Sequence, residues 1–205
     1  MYLTLPPIHM PQEQRYCVLI LDLVGSTQLV QDLPLGLWSE VLGEWSTATL
    51  DLLWGWGGWV QPLQGDAALA CWPQDQADAA VSAAHQAHSL ARGLPFAEQL
   101  NVELNLRAGL AAGALMALPG DQPRLCGVPL HLAQRLCSAA QPGETLMCSQ
   151  VAAGLEHDPG GQDSVLSPLS LPPLKGFEAK QCGGELGFFR LRTAHTMGAG
   201  QMKAG

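Results

Sequence analysis

Apolar residues run unbroken from Tyr16 to Leu21 before Asp22 interrupts them, which predicts a strand buried on both faces. Further on, Leu37, Val41, Leu42, Trp45, Thr49, Leu52 and Leu53 recur near the helical period, and Gly55, Gly57 and Gly58 end the long amphipathic helix they predict. The segment "WVQPLQGDAALACW" reads as two short strands turning at Gln64-Gly65-Asp66, the first made an edge or irregular strand by Pro62, which has no N–H to donate. An alanine-rich helix is expected from Asp75 to Leu94, with Asp75 at its N-terminus. Alternation around Val102, Leu104, Leu106 and Ala108, then glycines and a second apolar run, predicts two strands of a hairpin. Pro129 opens a further helix, "ETLMCS" is a short buried strand, "SPLSLPPLKGF" is irregular, and "ELGFFRLR" alternates as a last strand. The order β-α-β-β-α-β-β-α-β points to an α+β fold built on a ferredoxin-like split βαβ core with added strands. Residues 1–14 are expected to be a loose leader, 15–192 the folded domain, and 193–205 a disordered tail.

Composition narrows the function. With 205 residues, 47% of them hydrophobic, the chain can bury a substantial core. A formal net charge of -8 argues against nucleic acid or an anionic membrane as the main partner. Without an apolar run of membrane-spanning length or a basic, apolar leader, the expectation is a soluble, cytoplasmic protein. The six cysteines form no CxxC pair and lie mostly within apolar patterns, so they read as reduced core residues. All six tryptophans fall between Trp38 and Trp72, where packing in the core or a dimer accounts for them. His85 and His88 are three apart on the alanine-rich helix; with no third ligand at helical spacing they read as part of a polar face. No GxxxxGK[ST] is present, which leaves out a P-loop.

Asp22 poses the chemical question, because a carboxylate withdrawn from water needs a partner or a cation. Asp66 stands in the turn between two apolar strands. In a split βαβ core these strands are neighbours, so the two carboxylates can converge at one end of the sheet and share a hard cation. Gly25-Ser26-Thr27 would then offer N–H groups at a helix start to an anion beside it. Taken alone, an Asp in a strand followed by Gly-Ser-Thr reads more readily as a cap on the following helix.

The ordered series "LILDLVGST", "LQGDAALACW", "LRAGLAAG", "CGVPLHLAQRLCSAAQPGETLMCS" and "LKGFEAK…FFRLR" resembles the catalytic domain of class III nucleotidyl cyclases, the adenylyl and guanylyl cyclase family, from about Tyr16 to Arg192. The resemblance implies that architecture and a conversion of a nucleoside triphosphate to a 3',5'-cyclic nucleotide and pyrophosphate. It further implies two divalent metal ions, Mg²⁺ or Mn²⁺, bound by Asp22, Asp66 and the Leu23 carbonyl. Val24, Gly25, Ser26 and Thr27 would cradle the β- and γ-phosphates, and Arg135 would contact the α-phosphate. Family members place metal acids and arginine on different chains, so a homodimer with composite sites is implied.

Several positions depart from the family pattern. Pro62 stands where a base-reading lysine is usual, Arg124 where an acid reads the base, and His131 where an asparagine orients the ribose. The late phosphate lysine is displaced, with Lys175 or Lys180 as substitutes. These changes fit cyclisation of a nucleotide whose base is not adenine, since Arg124 brings donors suited to the carbonyls of guanine or uracil. They also fit loose base selection, or a degenerate module that binds nucleotide or a protein partner.

Overall fold

The computed structural model describes residues 14–62, 65–118, 124–155, 164–172, 174–177 and 187–193. The first described element is strand β1 (Gln14–Val24), whose residues 17–21 and Leu23 are buried, so it forms the centre of the core. Two helices follow, a short α1 (Ser26–Asp32) and α2 (Leu35–Gly55). Helix α2 buries Trp38, Val41, Trp45, Thr49 and Leu53, one face at the expected period. It ends where Gly57 takes a positive φ of 76°, as the glycine run predicts.

Strands β2 (Trp59–Pro62) and β3 (Ala68–Pro73) pair antiparallel around the Gly65-Asp66 turn. A 3-10 turn over Gln74–Gln76 leads into α3 (Ala77–Arg92), so Asp75 precedes the α-helix and makes no capping bond. Helix α4 (Pro95–Gln99) is short, and the Glu44 carboxylate of α2 accepts the backbone N–H of Phe96 in its first turn, at 3.0 Å to Oε2. After it come β4 (Asn105–Leu118), β5 (Arg124–Cys126), α5 (Val128–Ala139), β6 (Glu144–Cys148), α6 (Ser149–Ala152), β7 (Ser164–Leu169) and β8 (Phe188–Thr193).

The strand order is β2-β3-β1-β4-β6-β8-β7, with β5 paired to β4 off this path. The segment β2-β3-β1-β4, all antiparallel, is the split βαβ core, and β6, β8 and β7 extend it beyond β4. Pro62 and Pro168 both lie on strands at the ends of this order, where a missing N–H breaks no inner ladder.

Three expectations need correction. Residues 105–118 form one strand, not a hairpin, because the glycines there serve close packing and make no turn. A Cβ on Gly109 would collide with the Ala133 carbonyl oxygen and the Cys137 nitrogen of α5, and one on Gly113 would lie 2.9 Å from Cγ of Pro129. Second, part of the proline-rich stretch expected to be irregular is strand β7. Third, His88 is no part of a polar face: it is 3% exposed, and its Nε2 lies 2.9 Å from the Thr145 hydroxyl of β6. Thr145 pairs with Ala108, the neighbour of Gly109 on β4, so α3 and α5 cover opposite faces of the sheet.

Cys17, Cys71, Cys126, Cys137 and Cys148 are free thiols, as expected, and burial raises Cys71 to about 12. Cys182 and Lys180 lie outside the described residues, as do 1–13 of the expected leader and 194–205 of the expected tail. Strand β8 takes in Thr193, the tail's first expected residue.

Candidate active site

Asp22 lies near the end of β1, directly opposite Arg107 in the β1–β4 ladder. Both Nε and Nη2 of Arg107 donate to the same oxygen, Asp22 Oδ2, at 2.8 and 2.6 Å. The pairing disposes of the capping role. Helix α1 has Gly25 at its N-cap, in the left-handed region at φ 78°, and no side chain caps it. The partner that the Asp22 carboxylate requires is therefore present in the chain itself.

Asp66 reaches the same place from the β2–β3 turn. Gly65 supplies the positive φ of 80° that the turn needs, and Trp45 of α2 donates its indole N–H to the Asp66 carbonyl at 2.8 Å. Since β3 pairs with β1 as far as Leu21 and Ala68, the turn comes alongside the end of β1. The Oδ2 atom of Asp66 is buried and has no hydrogen-bond partner among the described residues.

Cys137, on the buried side of α5, registers this convergence. Its thiol, which donates to the Arg107 carbonyl at 3.5 Å, is pushed up to about 12, first by burial and then by Asp22, with Arg107 opposing and Asp66 adding to the rise. Asp22 and Arg107 thus form a pair at the end of β1, and the turn that bears Asp66 runs alongside it. An orphaned buried carboxylate oxygen beside a second carboxylate suits a hard divalent cation. No cluster of three or more His, Cys, Asp or Glu side chains is placed to hold a metal among the described residues. A cation here would complete its shell from backbone oxygen such as that of Leu23, from water, or from a ligand.

The remaining candidates fall into two groups. Val24 and Ser26 are half-buried while Gly25 and Thr27 are exposed, so this corner is open to a ligand. His131 and Arg135 lie on the solvent side of α5, opposite the stripe of Pro129, Leu132, Ala133, Leu136 and Cys137 that packs on the sheet. The structure does not join them to Asp22 and Asp66 within one chain. Lys175 is exposed on a turn whose Gly176 has φ 83°. Pro62 ends β2 and pairs with Ala68, and Arg124 starts β5 and pairs with Leu118.

Arg107 is the residue that the sequence reading left out of the site. It is the one charged residue of the run 105–118, as Asp22 is of the run 16–24, and opposite charges intruding into two apolar strands are a signal for a cross-strand pair.

Comparison with solved structures decides the fold. The adenylyl cyclase CyaB from P. aeruginosa superposes with a TM-score of 0.74 at 18% identity, over 88% of this chain and 94% of that one. The chain has the fold of adenylyl and guanylyl cyclase catalytic domains. The guanylate cyclase domain of RhGC from Catenaria anguillulae, solved in complex with GTP, gives 0.72 at 21% identity, covering 89% of this chain and 99% of its own. A dimeric guanylyl cyclase domain of the RhoGC fusion protein from Blastocladiella emersonii gives 0.71 at 16% identity, over 89% of this chain and 99% of that domain. No protein-family model matches the chain. Among curated sequences, the uncharacterised protein Rv2212 of Mycobacterium tuberculosis is 34% identical over 167 residues, 80% of this chain. Rv1320c of the same organism, also uncharacterised, is 31% identical over 158 residues, 72% of this chain. The aligned parts make up only 39% and 27% of those two proteins. No helix among the described residues is long and apolar enough to cross a membrane.

Proposed function

We propose that this domain is a metal-dependent nucleotidyl cyclase, converting a nucleoside triphosphate to a 3',5'-cyclic nucleotide and pyrophosphate, with base selection shifted away from adenine. The observation that supports this reading is a buried Asp66 oxygen without a partner among the described residues, on a turn alongside the end of the strand that bears Asp22, in a cyclase fold. Mg²⁺ or Mn²⁺ ions held by Asp22, Asp66 and the Leu23 carbonyl would supply the charge that acidifies the ribose 3'-hydroxyl and balances the triphosphate. The chain's own groups do the rest. Val24, Gly25, Ser26 and Thr27, with Lys175, hold the β- and γ-phosphates so that the α-phosphorus faces the 3'-oxygen. Arg135 neutralises charge that develops on the α-phosphate, and His131 orients the ribose.

A homodimer completes the site. His131 and Arg135 are exposed on α5 with no hydrogen bond or ion pair among the described residues, so they are available to the Asp22–Asp66 corner of a second copy. Pro62 and Arg124 shape the base pocket: the former offers no donor side chain, and the latter's guanidinium suits a carbonyl on the base. The deciding experiment incubates purified protein with Mn²⁺ and each of ATP, GTP, UTP and CTP, and separates the products chromatographically. A cyclic product that disappears in Asp66→Ala supports the reading. Nucleotide binding without any cyclic product, for all four, would replace it with the nucleotide-binding module that the changes at Pro62, Arg124 and His131 also permit.

A further inference from the structure

Arg107 spends two donors on one oxygen of Asp22 and leaves Oδ1 without a hydrogen bond among the described residues. The pair is partly exposed, with side-chain accessibilities of 32% for Arg107 and 22% for Asp22, so it contributes little to stability. Its place is fixed all the same, because the two residues face each other across the central strands. Stability therefore does not explain why a cation stands here, and the charge it cancels does.

We propose that Arg107 limits metal loading: it offsets the charge of Asp22, so that a divalent ion binds weakly until a triphosphate brings its own charge. With Arg107 present, Asp22, Asp66 and Arg107 sum to one negative charge; without it they sum to two. A cation entering the site also meets the repulsion of the guanidinium at close range. Even with screening as strong as in water, that repulsion at about 6 Å is worth about tenfold in cation binding, so removing it tightens binding by about tenfold or more. The nucleotide makes up the deficit, so ion and substrate load together and an ion bound alone does not linger.

Because this rests on the metal reading of Asp22 and Asp66, the test measures binding and not turnover. Wild type, Arg107→Met, Arg107→Lys and Asp66→Asn are titrated with Mn²⁺ near neutral pH without nucleotide, and free Mn²⁺ is followed by electron paramagnetic resonance. Arg107→Met should bind about tenfold more tightly, and Arg107→Lys, which keeps the charge, should stay within about twofold of wild type. A merely structural bridge would give the opposite sign, since loosening Asp22 weakens the site. Equal or weaker binding by Arg107→Met, with wild-type binding lost in Asp66→Asn, overturns the role of Arg107 alone. Absence of Mn²⁺ binding in wild type and in Arg107→Met alike overturns the metal reading and this inference with it. If circular dichroism shows Arg107→Met unfolded, Arg107→Gln removes the same charge while retaining a donor for Asp22, and the same tightening is required of it.

Discussion

Acid should destabilise this domain through His88 in particular. The imidazole is held inside the sheet–helix interface, with Nε2 on the Thr145 hydroxyl and Nδ1 buried without a partner among the described residues. Burial lowers its pKa from 6.5 to about 4, and Arg92 and His85 push in the same direction. The folded state therefore holds His88 neutral at pH values where the unfolded chain binds a proton. Its contribution is complete above about pH 6.5, declines as pH falls, and is gone near the folded pKa. At 1.36 kcal/mol per pKa unit, the shift corresponds to about 3 kcal/mol, a large part of the roughly 5–15 kcal/mol that stabilises a domain. Urea unfolding midpoints of wild type and His88→Gln, measured between about pH 7 and pH 4, isolate this contribution from the titrating carboxylates common to both. Glutamine cannot take up the proton, so the variant should begin less stable at neutral pH and lose less on acidification. Parallel acid profiles would refute the assignment.

Gly109→Ala should cost about 3 kcal/mol or more, read as a fall in melting temperature, because the added methyl meets backbone atoms of α5 and not a side chain that can rotate aside. Asp22→Ala and Arg135→Ala should each lower cyclase activity at least about a hundredfold; mixing the two should restore roughly a quarter of it, since half the dimers after random exchange carry one intact composite site. No recovery on mixing would argue against sites shared between chains. ATP should be a poor substrate by about tenfold or more in kcat/KM against GTP or UTP, and Arg124→Ala should narrow that gap. An unchanged ranking would remove Arg124 from base reading.

Local patterning found the elements whose determinants are local. Helix α2 follows from its apolar period and its glycine stop, and the split βαβ core from the order of runs and turns. Strand β4 was misread because glycine is ambiguous: the space around Gly109 is filled by residues more than twenty positions later, which no local window sees. His88 was missed for a related reason, since α3 buries mostly alanines, whose weak hydrophobicity does not mark the inner face, among them Ala80, Ala83, Ala84, Ala87 and Ala91. For Asp22 the physics asked for a partner, and that partner lies 85 residues away across a ladder. Asp66 followed from turn chemistry and strand adjacency; the roles of Arg135, His131 and Lys175 came from resemblance alone, because a solvent-facing residue carries no packing signal.

The positions that depart from the cyclase pattern are not spread evenly through the fold, and their placement bears on whether chemistry persists. Pro62 ends β2, the outermost strand on its side, and Arg124 starts a three-residue strand off the main sheet path. His131 is exposed on α5. The acids are placed otherwise. Asp22 is held on a central strand by Arg107, and the Asp66 turn is pinned by an indole N–H from α2. A carboxylate oxygen buried with no hydrogen-bond partner among the described residues costs about 1–3 kcal/mol, which alanine in its place would avoid. A bound cation would offset that cost at Asp66, which under the proposed function fits altered base selection better than loss of catalysis.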